Sequence, residues 1–159
     1  MRWHTSGDQA ARKGPPTNRE DAMSEENKTV VKRFVSEYQT NHDESVLYEL
    51  LSKDFVDHSA MPGLPTGREG VKALFDNFHT AFAEFTAEIH DQIAEQDKVV
   101  SRKSFHGRHE ADFMGVAPTG KTVQIDLIDI VRIADGRIVE HWNVVDQLGL
   151  LRQLGAFRS

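Results

Sequence analysis

Cysteine is absent from these 159 residues, which excludes disulfide bonds and thiolate chemistry. No apolar run approaches the ~20 residues a membrane-spanning helix needs, and no secretory apolar segment is visible. Basic runs are missing too. The formal net charge is -6, which argues against nucleic acid or an anionic membrane as a partner. The expected setting is the cytoplasm. Proline is scarce, and Pro15-Pro16 falls in a polar, aperiodic stretch over 1–24. That stretch is expected to be a disordered extension outside the fold, with Met23 reading like a natural start. Residues 25–159 then form a single domain, long enough to bury a core.

What is present begins with helical periodicity. Glu25 and Glu26 follow Ser24 and suit the positive end of a helix dipole. Val30, Val31, Phe34, Val35 and Tyr38 recur at helical spacing until Asn41-His42-Asp43 breaks the pattern. Val46, Leu47, Leu50 and Leu51 share one face of a short second helix. Asp54 to His58 reads as a brief extended piece, and Pro62, Gly63, Pro65 and Gly67 as a loop. A third helix carries Val71, Leu74, Phe75, Phe78 and Phe82 as its apolar stripe.

After Phe82 the period drops to two. Phe85, Ala87, Ile89 and Ile93 alternate with polar residues, interrupted by Asp91. Asp97-Lys98 makes a turn, Val99 to His109 a second strand, and Thr122 to Asp146 a final hairpin. The apolar tail from Leu148 to Phe157 is expected to cover one end of the sheet. Helices followed by strands predict an α+β fold. Its expected form is a cone-shaped, curved antiparallel sheet packed on about three N-terminal helices, with an internal cavity.

The hairpin carries the chemistry. TVQIDLIDIVRI and IVEHWNVVD flank Asp135-Gly136, yet these apolar runs hold Asp126, Asp129, Glu140, His141, Asn143 and Asp146. Burying charge costs several kcal/mol, roughly, unless it is paired or lines a wet cavity, so these strands read as a pocket wall. Two registers are available. A tight Asp135-Gly136 turn opposes Ala134 to Arg137 and buries His141 and Asn143 among isoleucines. A three-residue loop with Gly136 in a left-handed bulge opposes Ile133 to Arg137, Asp129 to His141 and Leu127 to Asn143. The bulged register sorts polar from apolar and is preferred. It gathers Asp129, His141 and Asn143 in a frame of Val123, Ile125, Leu127, Val131, Val139 and Val145, the make-up of a small-molecule site. The other face, with Ile128, Ile130, Trp142 and Val144, is apolar enough for a homodimer contact. The bland reading is a structural Asp129–His141 pair.

Other candidates have two readings each. His109 reaches the cavity mouth or is a surface histidine; His58 forms the rim or only a turn; Asp146 is a second carboxylate or a cap. Phe78 and Phe82 are expected to line the cavity. His106 and His109 are three apart on a strand and face opposite sides, a poor metal pair. No metal and no cofactor are expected. Gly115 to Thr122 matches the phosphate-loop pattern, but Val123-Gln124-Ile125 continues as a strand where that loop needs a helix.

From about Glu26 to Phe157 the chain resembles the SnoaL-like polyketide cyclase family, within the nuclear transport factor two-like superfamily. The carriers are Asp54-Phe55-Val56-Asp57-His58, Gly67-Arg68-Glu69-Gly70, Gly107-Arg108-His109, Phe113-Met114-Gly115, Pro118-Thr119-Gly120-Lys121, Arg132 to Ile138, and Leu150-Leu151-Arg152-Gln153-Leu154-Gly155. The resemblance implies a cofactor-free aldol cyclisation inside the cone, with a carboxylate on the last strand moving the proton. The catalytic Asp of the antibiotic-pathway cyclases aligns with Asn143, which cannot act as a base, and their pocket His with Asp129.

The resulting expectation is an enzyme acting on a small, largely apolar carbonyl compound. Asp129 is its acid/base, His141 assists, Asn143 donates to the developing oxyanion, and Asp146 or His109 orients a polar group. The rivals are a ligand-binding protein without chemistry and a dimeric accessory subunit.

Overall fold

A computed structural model describes residues 19–157. The chain runs through α1 (Arg19–Arg33), a π-helical turn (Phe34–Thr40), α2 (Glu44–Leu50), β1 (Leu51–Asp57), α3 (Gly67–Ala81), β2 (Phe82–Glu95), β3 (Lys98–His109), β4 (Thr122–Ala134), β5 (Arg137–Val145) and α4 (Gln147–Gln153). This is the expected α+β order, with a curved, unclosed sheet. The expected extension over 1–24 ends inside a helix. α1 already starts at Arg19, with Glu20 and Asp21 at its positive end. The rest of that stretch lies outside the described residues.

The sheet order is β1-β5-β4-β3-β2. Three of its neighbour pairs are antiparallel, but β1 lies parallel to β5, with Asp57 opposite His141. The extended piece over 54–58 is therefore an edge strand. Its partner is more than eighty residues away, and no local turn announces it. The break at Asp91 is a bulge in β2, where the register shifts between Ile89 and Asp91.

One apolar row from each element closes the interior. Val31 comes from α1, Phe34, Val35 and Tyr38 from the π-helical turn, and Phe75 and Phe78 from α3. Phe105, Ile125, Leu127, Val131 and Ile138 come from the sheet. The π-helical turn widens the helix so that two adjacent pairs, Phe34–Val35 and Tyr38–Gln39, are all buried.

The final hairpin combines parts of both expected registers. Asp135 and Gly136 both have positive φ, 50° and 70°, and close a tight turn with Ala134 opposite Arg137. Ile133 opposes Ile138, but Arg132 opposes Glu140, so Val139 is an extra residue in β5. The bulge sits at Val139 rather than at Gly136. It reverses the facing of everything beyond it. His141 and Asn143 turn inward with Asp129, as the bulged reading required, but Asp129 opposes Asn143 and Leu127 opposes Val145. On the outer face Arg132 ion-pairs with Glu140, and Trp142 stacks on His58, which fixes this register.

Deleting Val139 is expected to turn His141 and Asn143 out and Trp142 in, lowering the melting temperature by roughly 10 °C or more in a circular-dichroism melt. Val139→Ala keeps the strand's residue count and should shift it far less.

Candidate active site

Sheet and helices enclose a cavity of about 210 Å³. Its wall is mostly apolar, with Phe34, Leu51, Phe75, Phe78, Phe105 and Leu127 prominent. Into this wall the strands set a row of ionisable groups, one from each of four strands.

The row begins at Lys103 on β3. Its ammonium lies 2.5 Å from Asp129 Oδ2 and donates to Gln39 Oε1 at 3.1 Å, the amide that the π-helical turn delivers. Lys103 is 2 % exposed and Asp129 4 %. Asp129 Oδ1 is buried with no hydrogen-bond partner. On β5, His141 Nε2 stands 3.9 Å from Asp129 Oδ2, too far for a hydrogen bond. Its Nδ1 is 3.0 Å from Asp57 Oδ1, the cross-strand partner on β1. The Ser59 N–H donates to that same Asp57 oxygen at 2.9 Å. Ser59 Oγ then accepts from the Asn143 N–H, tying the loop after β1 to β5.

Two carboxylates thus flank one imidazole, and the ammonium holds the farther of them. Burial pushes the Asp57 carboxyl up, but the hydrogen bond and charge of His141, together with the Ser59 N–H, outweigh it and hold Asp57 below the ordinary carboxylate range. Asp57 is thereby held as an acceptor, which orients the ring with Nδ1–H toward it and leaves Nε2 on the cavity side. Asn143 lines the cavity directly across from Asp129.

Of the residues expected at the site, Asp129, His141, Asn143, Leu127 and Phe78 all line the cavity. The others do not. His58 projects to the outer face, stacked 4.6 Å from Trp142 and bonded to Glu140, because it alternates with inward Asp57. His109 is fully buried beneath the loop over 110–121, its Nδ1 accepting from the Thr119 N–H. Asp146 caps α4 through the Gly149 N–H at 2.8 Å. Phe82 packs against Phe78, His109 and Phe113, one layer behind the wall. The phosphate-loop lookalike leads into β4, not into a helix. Among the described residues, no group of three His, Asp or Glu could hold a metal ion.

Sequence reasoning missed Lys103, Asp57, Gln39 and Ser59. Lys103 had a signal, since Val99, Ser101, Lys103 and Phe105 alternate inward on β3. Asp57 shared parity with Phe55, but only the β1–β5 pairing gives it a partner. Gln39 depends on a π-helical turn that no residue pattern marks.

The family model for SnoaL-like polyketide cyclase matches residues 29–154. Aklanonic acid methyl ester cyclase DauD of Streptomyces sp. (strain C5) is 31% identical over 134 residues, covering 79% of this chain and 80% of its own. Aklanonic acid methyl ester cyclase DnrD of Streptomyces peucetius is 30% identical over 132 residues, covering 79% and 88%. The structure of TsrD from Streptomyces laurentii superposes with a TM-score of 0.76 at 29% identity, covering 84% of this chain and 97% of that one. The chain belongs to the SnoaL-like polyketide cyclase family.

The Asp57 contact has a pH signature. Its lowered carboxyl stabilises the fold fully above the ordinary value of 3.8, and that contribution fades as pH falls through the lower folded value. Asp57→Asn should therefore cost about 2 kcal/mol at pH 5 in urea unfolding, with the gap to wild type narrowing steadily below pH 4.

Proposed function

We propose, from that membership and from the geometry at His141, that the protein is a cofactor-free cyclase acting on a small, largely apolar carbonyl compound. His141 is the acid/base. Its Nε2 takes a proton from the carbon beside a carbonyl, giving an enolate. Asp57 steadies the imidazolium through Nδ1–H, and the Asn143 carboxamide donates to the enolate oxygen. The enolate carbon attacks a second carbonyl of the same molecule, forming the ring bond. The imidazolium then returns its proton to the new alkoxide, so no atom is gained or lost.

The observation that carries this reading is the 3.0 Å His141–Asp57 contact at the cavity wall. A base held in one tautomer by a third group is the arrangement that proton transfer needs. Sequence alone favoured Asp129 as the acid/base. Lys103 holds only Asp129 Oδ2 and leaves Oδ1 without a partner, so the role is assigned to His141 on the strength of the Asp57 contact that orients its ring.

The non-catalytic alternative rests on one residue. Asn143 occupies the place that aligns with the family's catalytic Asp, so a carrier could use the same cavity without chemistry. Aklanonic acid methyl ester, which the curated relatives act on by name, serves as probe. Cyclised product followed by mass spectrometry should fall 100-fold or more, roughly, in His141→Ala and in Asp57→Asn. Recovery of the ester unaltered by the wild-type protein would support the carrier instead.

The outer sheet face supports a homodimer. Ile128 is 50% and Val144 77% exposed there, beside Ile130 and Trp142. Light scattering is expected to give twice the 18.0 kDa chain mass, and Val144→Lys a monomer.

A further inference from the structure

Lys103 takes no part in the proton transfer proposed above, yet it is buried and lines the cavity. We infer that Lys103 is a positioning residue that keeps Asp129 off His141, and so keeps His141 Nε2 free for substrate. The inference rests on the proposed role of His141.

The geometry is specific. Lys103 Nζ and His141 Nε2 both face the same oxygen, Asp129 Oδ2, at 2.5 Å and 3.9 Å. The ammonium holds it, and Gln39 Oε1 anchors the ammonium from the far side. Oδ1 has no partner at all, so the carboxylate is short of donors. The charged and titratable side chains in the cavity wall are Asp57 on β1, Lys103 on β3, Asp129 on β4 and His141 on β5. Gln39 from the π-helical turn, Asn143 on β5 across from Asp129 and Gln147 from α4 are amides, and α1 and α3 present apolar groups. With Lys103 in place, His141 Nε2 already stands 3.9 Å from the oxygen that the ammonium holds. A movement of about 1 Å would close that gap to hydrogen-bond range. Both ring nitrogens would then face carboxylates, the imidazole would keep its proton, and Nε2 would be occupied.

A buried lysine that only filled space could be replaced without touching the histidine. The positioning role makes a different prediction, readable without any substrate. In the full chain, the titration midpoint of the His141 imidazole is followed by ¹⁵N NMR and assigned by its loss in His141→Gln. Lys103→Met and Lys103→Gln should raise that midpoint by about one pH unit or more, a tenfold or tighter hold on the proton. Lys103→Arg keeps the cation and should leave it within about half a unit. With the ester probe, the acid limb of kcat/KM should move upward by the same amount in the neutral variants.

An unchanged midpoint in either folded neutral variant overturns the inference. If neither folds, Lys103→Met combined with Asp129→Leu decides, because apolar replacement of a whole buried pair is tolerated where removal of one partner is not. A midpoint in that double variant within about half a unit of wild type supports the role; a fall of about one unit or more shows that Asp129 already acts on His141 and overturns it. A shifted midpoint combined with full turnover by His141→Ala supports the positioning and removes the cyclase reading instead.

Discussion

The inner face of the last strand hangs on a single residue of length. A tight Asp135-Gly136 turn, taken alone, would carry His141 and Asn143 to the outside of the sheet. Val139 adds one residue to β5 and reverses the alternation from there to Val145. The turn and the bulge therefore have to be read together. Outside, Arg132–Glu140 and the Trp142–His58 stack fit only this register. Inside, it sets His141 beside Asp57 and Asn143 across from Asp129.

Once those side chains face inward, the low polarizability of the wall governs them. Aromatic and aliphatic groups surround the cavity, so each charge needs a partner of opposite sign. The order along the wall is ammonium, carboxylate, imidazole, carboxylate, each element supplied by a different strand. A buried pair such as Lys103–Asp129 adds little to stability when compared with apolar residues of equal volume. The oxygen that Lys103 holds also stands 3.9 Å from a second neighbour. That neighbour is His141, which is fixed at one nitrogen and open at the other.

The sequence made some of this plain and hid the rest, for physical reasons. Period-three-and-four and period-two patterns are local, so the helices, the long strands and the inward row Val123, Ile125, Leu127, Asp129 and Val131 could all be read directly. The bulge was foreseen by its consequence, since only a shifted register separated polar from apolar, although its place was not. Residues judged one at a time fared worse. His58, His109 and Asp146 are polar residues near strand ends, and each found a structural partner: Trp142 with Glu140, Thr119, and the Gly149 N–H. Nothing local distinguishes such a residue from one that serves a ligand. Asp57 and Gln39 were hidden for the opposite reason. A parallel pairing across more than eighty residues and a widened helical turn give them their places, and neither leaves a short-range mark.

The place of the imidazole on the last strand follows from the same geometry. Inward positions on neighbouring strands of a curved sheet converge on one space, so a proton-transfer group can occupy any of several without disturbing the fold. Here the inward positions of β5 hold Asn143, across from Asp129, and the imidazole of His141 two positions earlier on the same strand face. A histidine needs something a carboxylate does not, namely a partner that fixes its tautomer. The parallel edge strand supplies one, because Asp57 is the cross-strand neighbour of residue 141 and not of residue 143. The pairing of β1 with β5 thus decides which inward position on the last strand has a carboxylate beside it, and that position is residue 141.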